Sequence, residues 1–370
     1  MEEENELITQ NVDEFISANA LKYEIFPKIY TLTEETYQDL IQDIQNHSDI
    51  LFKDHSSSIL FFYYIVQAAK FRFKKLELFL DIIVYFSKEI KKNNTTDIEL
   101  INICHNFSNG LNYLFEKQFF SMESIVEKSF QSDEVFITFL PEISQYDSEY
   151  SMLREKNLFF DKNKKMEEYY KFVKTNPRDH IFYRNLNYHP SPLHKSIRDD
   201  DIESFQSILS KNNYDVNYRI ENSFYERLKM VLDEDMSLIQ IAAFYGSLNI
   251  FKFLWIRNNI KYNENLLSYA YAGENMEIIH LCEQKCPIEK AYLQPIFIHR
   301  QDMLDYCIEN YESEIINDER SGIKSILKDF IRDEDNMYEM LNFYSFTCAL
   351  FSLNFDVIKQ CLRKFVFVIR

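Results

Sequence analysis

The chain has 370 residues, of which 46% are hydrophobic and 27% are charged, and this composition excludes disorder throughout. Its four glycines, Gly110, Gly246, Gly273 and Gly322, lie too far apart to form the phosphate-binding loops of P-loop, dinucleotide-binding and kinase folds or the nucleophile elbow of hydrolases. The formal net charge of −18 opposes nonspecific binding to nucleic acid and favours a basic partner.

The low glycine and proline content favours a mostly helical chain, because tight turns between strands use these residues. The first helix signal is Thr31–Glu35, where capping threonines precede two glutamates. Apolar side chains then recur at helical spacing, at Tyr37, Leu40, Ile41 and Ile44. This pattern predicts an amphipathic helix with one buried face.

The next two segments, Ile59–Ala69 and Leu76–Phe86, are apolar on nearly every side. They predict two buried helices at the centre of an N-terminal helical unit. Because Ile59–Ala69 is too short to cross a bilayer, we expect no membrane insertion. Thr95–Asp97 offers capping residues for a further helix, which we expect to end near Asn109–Gly110.

Two patterns follow in the middle of the chain. Apolar residues alternate in Val135–Phe139, which fits a strand, and a short buried helix fits nearly as well. Residues 145–184 are polar and charged, with a helical pattern at Met166–Val173. Thr175–Asp179, which contains Pro177, is the best candidate for a domain boundary.

An internal repeat begins at Ser191. Ser191–Ile197 reads SPLHKSI, and it is followed by DDIE at 200–203 and DVN at 215–217. The serine and the proline suit the start of a helix, and Asp200 tolerates the left-handed conformation of a turn between helices. These segments resemble the ankyrin repeat, whose pattern is TPLHxAA, then GHxEVVxLL, then DVN. The chain departs from that pattern at Ser196 and Ile197, where the pattern has two alanines, and at Asp200, where it has glycine.

Further copies of the repeat follow. Ser237–Leu254 is the clearest, and Ser237 with Gln240 forms a capping box. A third copy begins at Leu266, and weaker ones include residues 302–307 and 356–361. The larger separation of the first two copies predicts an insertion at Arg219–Asp235.

The short spacing between the later copies and the sequence of Gly273–Ile279 are similar to those of divergent ankyrin proteins, which form large families in parasitic protists. Those proteins have an uncharacterised helical N-terminal region, and Ala69–Phe79 resembles a piece of it. The resemblance implies an all-α chain in which an ankyrin-type solenoid of stacked helical hairpins follows a helical N-terminal region. Residues 185–370 would hold about five or six repeats. Residues 1–180 would be the helical N-terminal region or further decayed repeats.

Ankyrin-type proteins bind other proteins on an extended surface, so the resemblance implies a non-enzymatic adaptor that needs no cofactor. We expect contacts at the ends of the first helices and in the insertion, where arginine and aromatic side chains suit partner binding. The candidate residues are Arg198, Asp199, Phe224, Tyr225, Arg227, Phe244, Tyr245 and Tyr271. The alternative for Phe244 and Tyr271 is packing against adjoining helices.

A second function class is an enzyme, or an enzyme subunit, with its activity in the N-terminal region. The adjacent residues Cys104 and His105 would supply a nucleophile and a base, or the acidic and aromatic residues of 145–184 would form the site. Zinc ligands are also present in the repeats, at His280, Cys282, Cys286, His299 and Cys307. Their spacing matches no common zinc finger, and Cys282 lies at an apolar helix position, so we expect packing and no metal.

The ends of the chain give two further expectations. Residues 1–6 are acidic and lack the pattern of a secretory signal, so we expect an intracellular protein with reduced cysteines, in the cytoplasm or the nucleus. The tail Phe365–Arg370 is apolar, whereas a repeat array needs a polar terminal cap. We expect this tail to fold back on the last helices or to be covered by another chain.

Overall fold

The computed structural model describes residues 20–104, 107–158, 164–186, 189–221, 223–225, 236–257, 260–261, 265–286, 303, 305–307 and 309–310. The chain divides into two compact units. Unit I comprises Tyr37–Pro190 and Glu221–Glu234, and unit II comprises Met1–Thr36, Ser191–Ile220 and Asp235–Arg370. The described part is mostly helical, as the composition predicts.

The described helices follow one another closely along the chain. They are α1 (Ala20–Tyr30), α2 (Tyr37–Asn46), α3 (Ser48–Leu51), α4 (His55–Phe71), α5 (Leu76–Tyr85), α6 (Ser87–Lys91), α7 (Asp97–Ile103), α8 (Ser108–Glu116), α9 (Met122–Ser129), α10 (Asp133–Thr138), α11 (Leu140–Tyr146), α12 (Ser148–Lys156), α13 (Lys164–Thr175), α14 (Pro177–Leu186), α15 (Pro192–Arg198), α16 (Ile202–Asn212), α17 (Leu238–Tyr245), α18 (Leu248–Trp255), α19 (Leu266–Gly273) and α20 (Met276–Glu283). Two short strands, β1 (Arg219–Ile220) and β2 (Met236–Ser237), lie between α16 and α17. None of these helices is long and apolar enough to span a bilayer.

The core of unit I is built on the apolar helices that the sequence predicts. Helix α2 buries Leu40, Ile41 and Ile44, as its spacing predicts. Helices α4 and α5 contain the two predicted apolar segments and pack against each other. The Phe61 ring of α4 lies edge-on to Phe52, with the ring centroids 4.8 Å apart. Aromatic contacts of this kind fill the core where smaller residues would leave space.

The helix that starts after Thr96 ends earlier than predicted. Thr96 and Glu99 form a capping box at the start of α7, but α7 ends at Ile103 and α8 begins at Ser108. Gly110 therefore lies inside a helix and does not terminate one. A Cβ atom at Gly110 would lie 2.1 Å from Cε1 of Phe107, so the glycine makes room for that ring.

Of the two alternatives for Val135–Phe139, the buried helix is correct and the strand is wrong. Ser132 caps α10 by accepting a hydrogen bond from the Val135 amide at 3.2 Å. Phe136 and Ile137 are both fully buried, so apolar contacts form on more than one side of this helix. Alternation in so short a segment does not distinguish a strand from a helix that is buried all round.

The polar stretch that follows is helical as well. Helix α13 contains the predicted segment Met166–Val173, and it buries Tyr169 and Val173. Pro177 occupies the first position of α14, where its missing N–H costs no hydrogen bond. Helices α13 and α14 both belong to unit I, which extends to Pro190.

The described part of unit II contains three helical hairpins in which paired helices pack together: α15 with α16, α17 with α18, and α19 with α20. The first helices also contact one another in chain order, α15 to α17 to α19, and the second helices do the same. Strands β1 and β2 pair antiparallel, Arg219 with Ser237 and Ile220 with Met236. The ends of the predicted insertion are therefore adjacent.

Candidate functional site

The turns between paired helices have the same backbone conformation in all three hairpins of unit II. Asp200, Gly246 and Glu274 adopt left-handed φ angles of 51°, 68° and 60°. Each of them directly precedes the N-cap position of the second helix, which is occupied by Asp201, Ser247 and Asn275 in turn. The turns are thus equivalent, although a non-glycine residue occupies two of the three left-handed positions at some cost in strain.

The side chain of Asp200 connects the first turn to the second hairpin. Its carboxylate accepts hydrogen bonds from the amide of Asn249 at 3.1 Å and from the amide of Ile250 at 3.0 Å. The Asn249 side-chain amide donates to the same carboxylate at 3.0 Å. Those two backbone amides are in the first turn of α18, where helical N–H groups have no intrahelical acceptor. Asp200 therefore caps a helix of the next hairpin.

Two more hydrogen bonds connect consecutive turns. The Ser247 hydroxyl donates to the carbonyl of Ile197 at 2.5 Å, and the Asn275 side-chain amide donates to the carbonyl of Gly246 at 3.2 Å. In both cases the donor belongs to the later hairpin and the acceptor to the earlier one. We call this set of bonds the turn ladder, and it fixes the register of the three hairpins.

The first helices approach one another closely below the turn ladder. Ala242, Ala243 and Ala270 are fully buried. A Cβ atom at Gly273 would lie 2.0 Å from the carbonyl oxygen of Ala243. The glycine of the third hairpin thus permits close packing of α19 on α17, and the left-handed turn position belongs to Glu274.

Arg198 and Asp199 lie at the end of α15, next to the first turn. The Arg198 Nε donates to the Asp199 carboxylate at 2.9 Å, and Lys195 Nζ lies 3.9 Å from that carboxylate. The side chains of Asp199 and Lys195 are 44% and 68% exposed. The Arg198 side chain is 20% exposed. These three residues form a charged group, exposed at Lys195 and Asp199, that we call the α15 edge.

Phe244, Tyr245 and Tyr271 are inside the hairpins and do not face solvent. Their exposed fractions are 2%, 8% and 0%. The Tyr245 ring lies edge-on to the His194 ring, with the centroids 5.4 Å apart, and the Tyr271 hydroxyl donates to Glu283 at 3.2 Å. The packing alternative for Phe244 and Tyr271 therefore agrees with their positions. Contact with a partner would require these side chains to leave the core.

The candidate residues of the insertion lie in unit I. The Phe224 ring stacks on Tyr169 with the centroids 4.0 Å apart. Tyr225 is 6% exposed, and its hydroxyl lies 2.9 Å from Nδ1 of His180. Both aromatic side chains thus contribute to packing within that unit. Arg227 lies outside the described residues.

A buried polar cluster surrounds His180 in unit I. Nε2 of His180 lies 2.8 Å from the carbonyl oxygen of Thr138, which can only accept, so Nε2 carries the proton. Nδ1 of the neutral ring then accepts from the Tyr225 hydroxyl. Burial, together with the nearby Arg184 guanidinium, lowers the pKa of His180 to about 4. The ring is therefore neutral at physiological pH.

Arg184 completes the His180 cluster. Its guanidinium donates to the Thr138 carbonyl at 2.7 Å and to the Glu142 carboxylate at 2.6 Å, and its side chain is 3% exposed. The spacing of His180 and Arg184 places both on one face of α14. That spacing is the only sequence signal for the cluster, because Thr138 and Glu142 are distant in the chain.

Comparison of the chain with protein-family models, with curated proteins and with solved structures found no match. The geometry of the described residues therefore carries the functional inference. Its two notable features are the turn ladder of unit II with the adjoining α15 edge, and the buried cluster around His180 in unit I.

The candidates for catalysis have little support in their surroundings. Cys104 is 2% exposed, and burial raises the pKa of its thiol to about 12, which disfavours the nucleophilic thiolate. Cys104 borders a cavity of about 20 Å³, together with Ser108, Glu134 and Thr138. Such a cavity has room for about one water molecule. His105 lies outside the described residues.

The candidate zinc ligands do not assemble into a site in the part of the chain that the structure describes. No three histidine, cysteine, aspartate or glutamate side chains among those residues are placed to hold a metal ion. Cys282, Cys286 and Cys307 are buried free thiols. His299, the weak repeat at 356–361 and the apolar tail Phe365–Arg370 lie outside the described residues.

Proposed function

We propose that unit II is an ankyrin-type solenoid and that the protein is a non-enzymatic adaptor that binds a protein partner on this solenoid. The observation that carries the proposal is the turn ladder, in which equivalent turns at Asp200, Gly246 and Glu274 are connected between hairpins. The resemblance of Ser191–Ile197 and Ser237–Leu254 to ankyrin repeats supports the same assignment. Arrays of this kind gain their stability from contacts between neighbouring repeats.

The energetics of the hairpins agree with a repeat array. Helix α17 is buried along its whole length, with α15 on one side and α19 on the other. A single hairpin could not bury such a helix, so neighbouring hairpins have to supply the contacts. An array of this kind presents a row of helix ends and turns, and this row is available for recognition of another protein.

We infer that the partner contacts the α15 edge. The aromatic candidates in α17 and α19 are buried, whereas Asp199 and Lys195 are exposed at the equivalent end of α15. Rim charges of this type affect partner choice and the rate of association more than the total affinity. The net charge of −18 favours a partner with basic residues. Asp200 and the exposed Asp201 directly follow Asp199, so at and beside the α15 edge the acidic groups outnumber Lys195 and Arg198 and would attract such a partner.

Site-specific photocrosslinking in native lysate tests this proposal. A photoreactive phenylalanine analogue would replace Asp199 in one protein and Lys211, an exposed residue at the far end of α16, in the control. The expected result is a discrete protein adduct from position 199 that position 211 does not give. The same adducts from both positions, or none from position 199, would contradict binding at this edge.

A charge-reversal variant gives a second readout. Asp199→Lys should weaken capture of the crosslinked protein, while Lys211→Glu should leave it unchanged, because only the first change reverses charge at the α15 edge. Circular dichroism of both variants would confirm that the helices are retained. Equal capture by the two variants would argue against recognition through Asp199.

A further inference from the structure

Two cysteines lie one helical turn apart at the end of α20. The amide of Cys286 donates to the carbonyl of Cys282 at 2.8 Å, which continues the helical hydrogen-bond pattern past Glu283. Residues four apart in a helix lie on the same face, so the two thiols are neighbours. Cys282 is fully buried and Cys286 is 7% exposed.

The surroundings of the pair make one thiol more acidic than the other. The thiol of Cys282 hydrogen bonds to the sulfur of Cys286, and this bond, followed by the positive charge of Lys285, lowers the pKa of Cys286. The same bond, together with burial, raises the pKa of Cys282. Cys104 and Cys307 differ, because burial raises the pKa of each to about 12. The thiolate is the reactive form of cysteine, so Cys286 is the best nucleophile among the described thiols.

We propose that Cys282 and Cys286 are a redox pair that forms a reversible disulfide when the protein meets a hydroperoxide. The Cys286 thiolate attacks one peroxide oxygen, the O–O bond breaks, hydroxide leaves and Cys286 becomes a sulfenic acid. The sulfur of Cys282, as it loses its proton, then attacks the Cys286 sulfur, the S–O bond breaks and water leaves. In total, two thiols and one hydrogen peroxide give one disulfide and two waters.

The backbone needs only a local adjustment for this bond. Cβ atoms four residues apart on a helix are about 5–6 Å from each other. A disulfide needs them to be about 3.5–4.5 Å apart. The last turn therefore has to tighten by roughly 1–2 Å. Cys286 lies beyond the final helical residue, Glu283, where the backbone is less constrained than inside the helix.

Tightening this turn would also move Glu283, which lies between the two cysteines. The Glu283 carboxylate accepts hydrogen bonds from the Tyr271 hydroxyl at 3.2 Å and from the Tyr306 hydroxyl at 3.0 Å. It also lies 3.1 Å from Nδ1 of His280. Oxidation of the pair would thus loosen the contact between α20 and the helical residue Tyr306.

Peptide mapping of the full chain after treatment with hydrogen peroxide tests the proposal. Free thiols are alkylated in acid, and disulfides are identified by mass spectrometry. We expect a 282–286 disulfide to form at least about tenfold faster than Cys104 or Cys307 is modified, and dithiothreitol to reverse it. Oxidation of Cys104 or Cys307 before the pair, or a disulfide from Cys282 to Cys307, would overturn the proposal.

Three serine variants, one of them a control, and an exchange measurement sharpen the test. In Cys282→Ser the sulfenic acid at Cys286 should persist and react with dimedone, whereas Cys286→Ser should show no fast modification at Cys282. Cys307→Ser is the matched control and should still form the disulfide. Amide hydrogen exchange at 303–310 should become faster in the oxidised wild type. Unchanged exchange there would refute the link through Glu283.

Discussion

The buried His180 makes unit I sensitive to acid. In the folded chain its pKa is about 4, against an ordinary value of 6.5, because the ring is buried beside Arg184. The unfolded chain therefore binds a proton more readily than the folded one between these pH values, and stability falls as the pH drops through this window. A shift of this size corresponds to a loss of about 3 kcal/mol between pH 7 and pH 4.

The surroundings of the ring disfavour a second proton on His180. Nε2 already donates to Thr138, and protonated Nδ1 would point at the Tyr225 hydroxyl, which would have to turn its own hydrogen away. Tyr169 and Arg184 also face the ring. Burial raises the pKa of the Tyr169 hydroxyl and of the Tyr225 hydroxyl. Glu142 is the nearby carboxylate that favours the protonated ring, but Arg184 already binds it.

Amide hydrogen exchange of α14 at pH values from 7 to 4 measures this effect. The variant His180→Gln keeps a side-chain N–H that can donate to Thr138 but has no titrating group. After correction for intrinsic exchange, the wild type should lose about a hundredfold more protection than the variant over this range. Equal losses in both proteins, or a His180 pKa near 6.5 by NMR, would refute the reasoning.

Three other changes test the packing described above, each by chemical denaturation with circular dichroism. Asp200→Ala should lower the free energy of unfolding by about 2 kcal/mol, because α18 loses its cap and alanine is strained at a left-handed position. Asp200→Asn should lower it by less than half as much. Similar losses in the two variants would argue against the turn ladder. Gly273→Ala should cost about 1–3 kcal/mol through overlap with the Ala243 carbonyl, and a neutral result would contradict the close approach of α19 to α17. Thr96→Ala should lower the free energy of unfolding by about 1 kcal/mol, because it removes the cap of α7. Thr31→Ala, at an exposed residue, serves as the control. Equal losses in the two variants would argue against the capping box.

The helices with strong periodicity could be predicted from the sequence. Helices α2 and α13 are present where the apolar period indicates them, since one buried face leaves a clear period. Helices α4 and α5 are present where long apolar segments indicate buried helices. The end of α7 could not be predicted, because no glycine or proline marks the break after Ile103. Phe107, which directly precedes α8, packs against Gly110, and this contact follows the break without marking it in the sequence.

The candidate site was less accessible to prediction than the fold. The sequence shows that Phe244 and Tyr271 are aromatic residues near the end of a helix, but their exposure depends on the neighbouring hairpins. The role of Asp200 was likewise hidden, because its partners, Asn249 and Ile250, belong to another hairpin. Pairings over such distances leave no local pattern.

Because of the turn ladder, unfolding of the middle described hairpin, α17 with α18, would remove contacts from both of its neighbours. Its turn is bonded to the preceding hairpin through Ser247 and to the following one through Gly246. Loss of α17 would uncover apolar faces on both α15 and α19, whereas, among the three described hairpins, loss of α15 would uncover only that of α17. Proteolytic cuts in partly unfolded protein should therefore appear in α15 and α16 before α17 and α18, and a cut within residues 238–255 should coincide with loss of all three described hairpins.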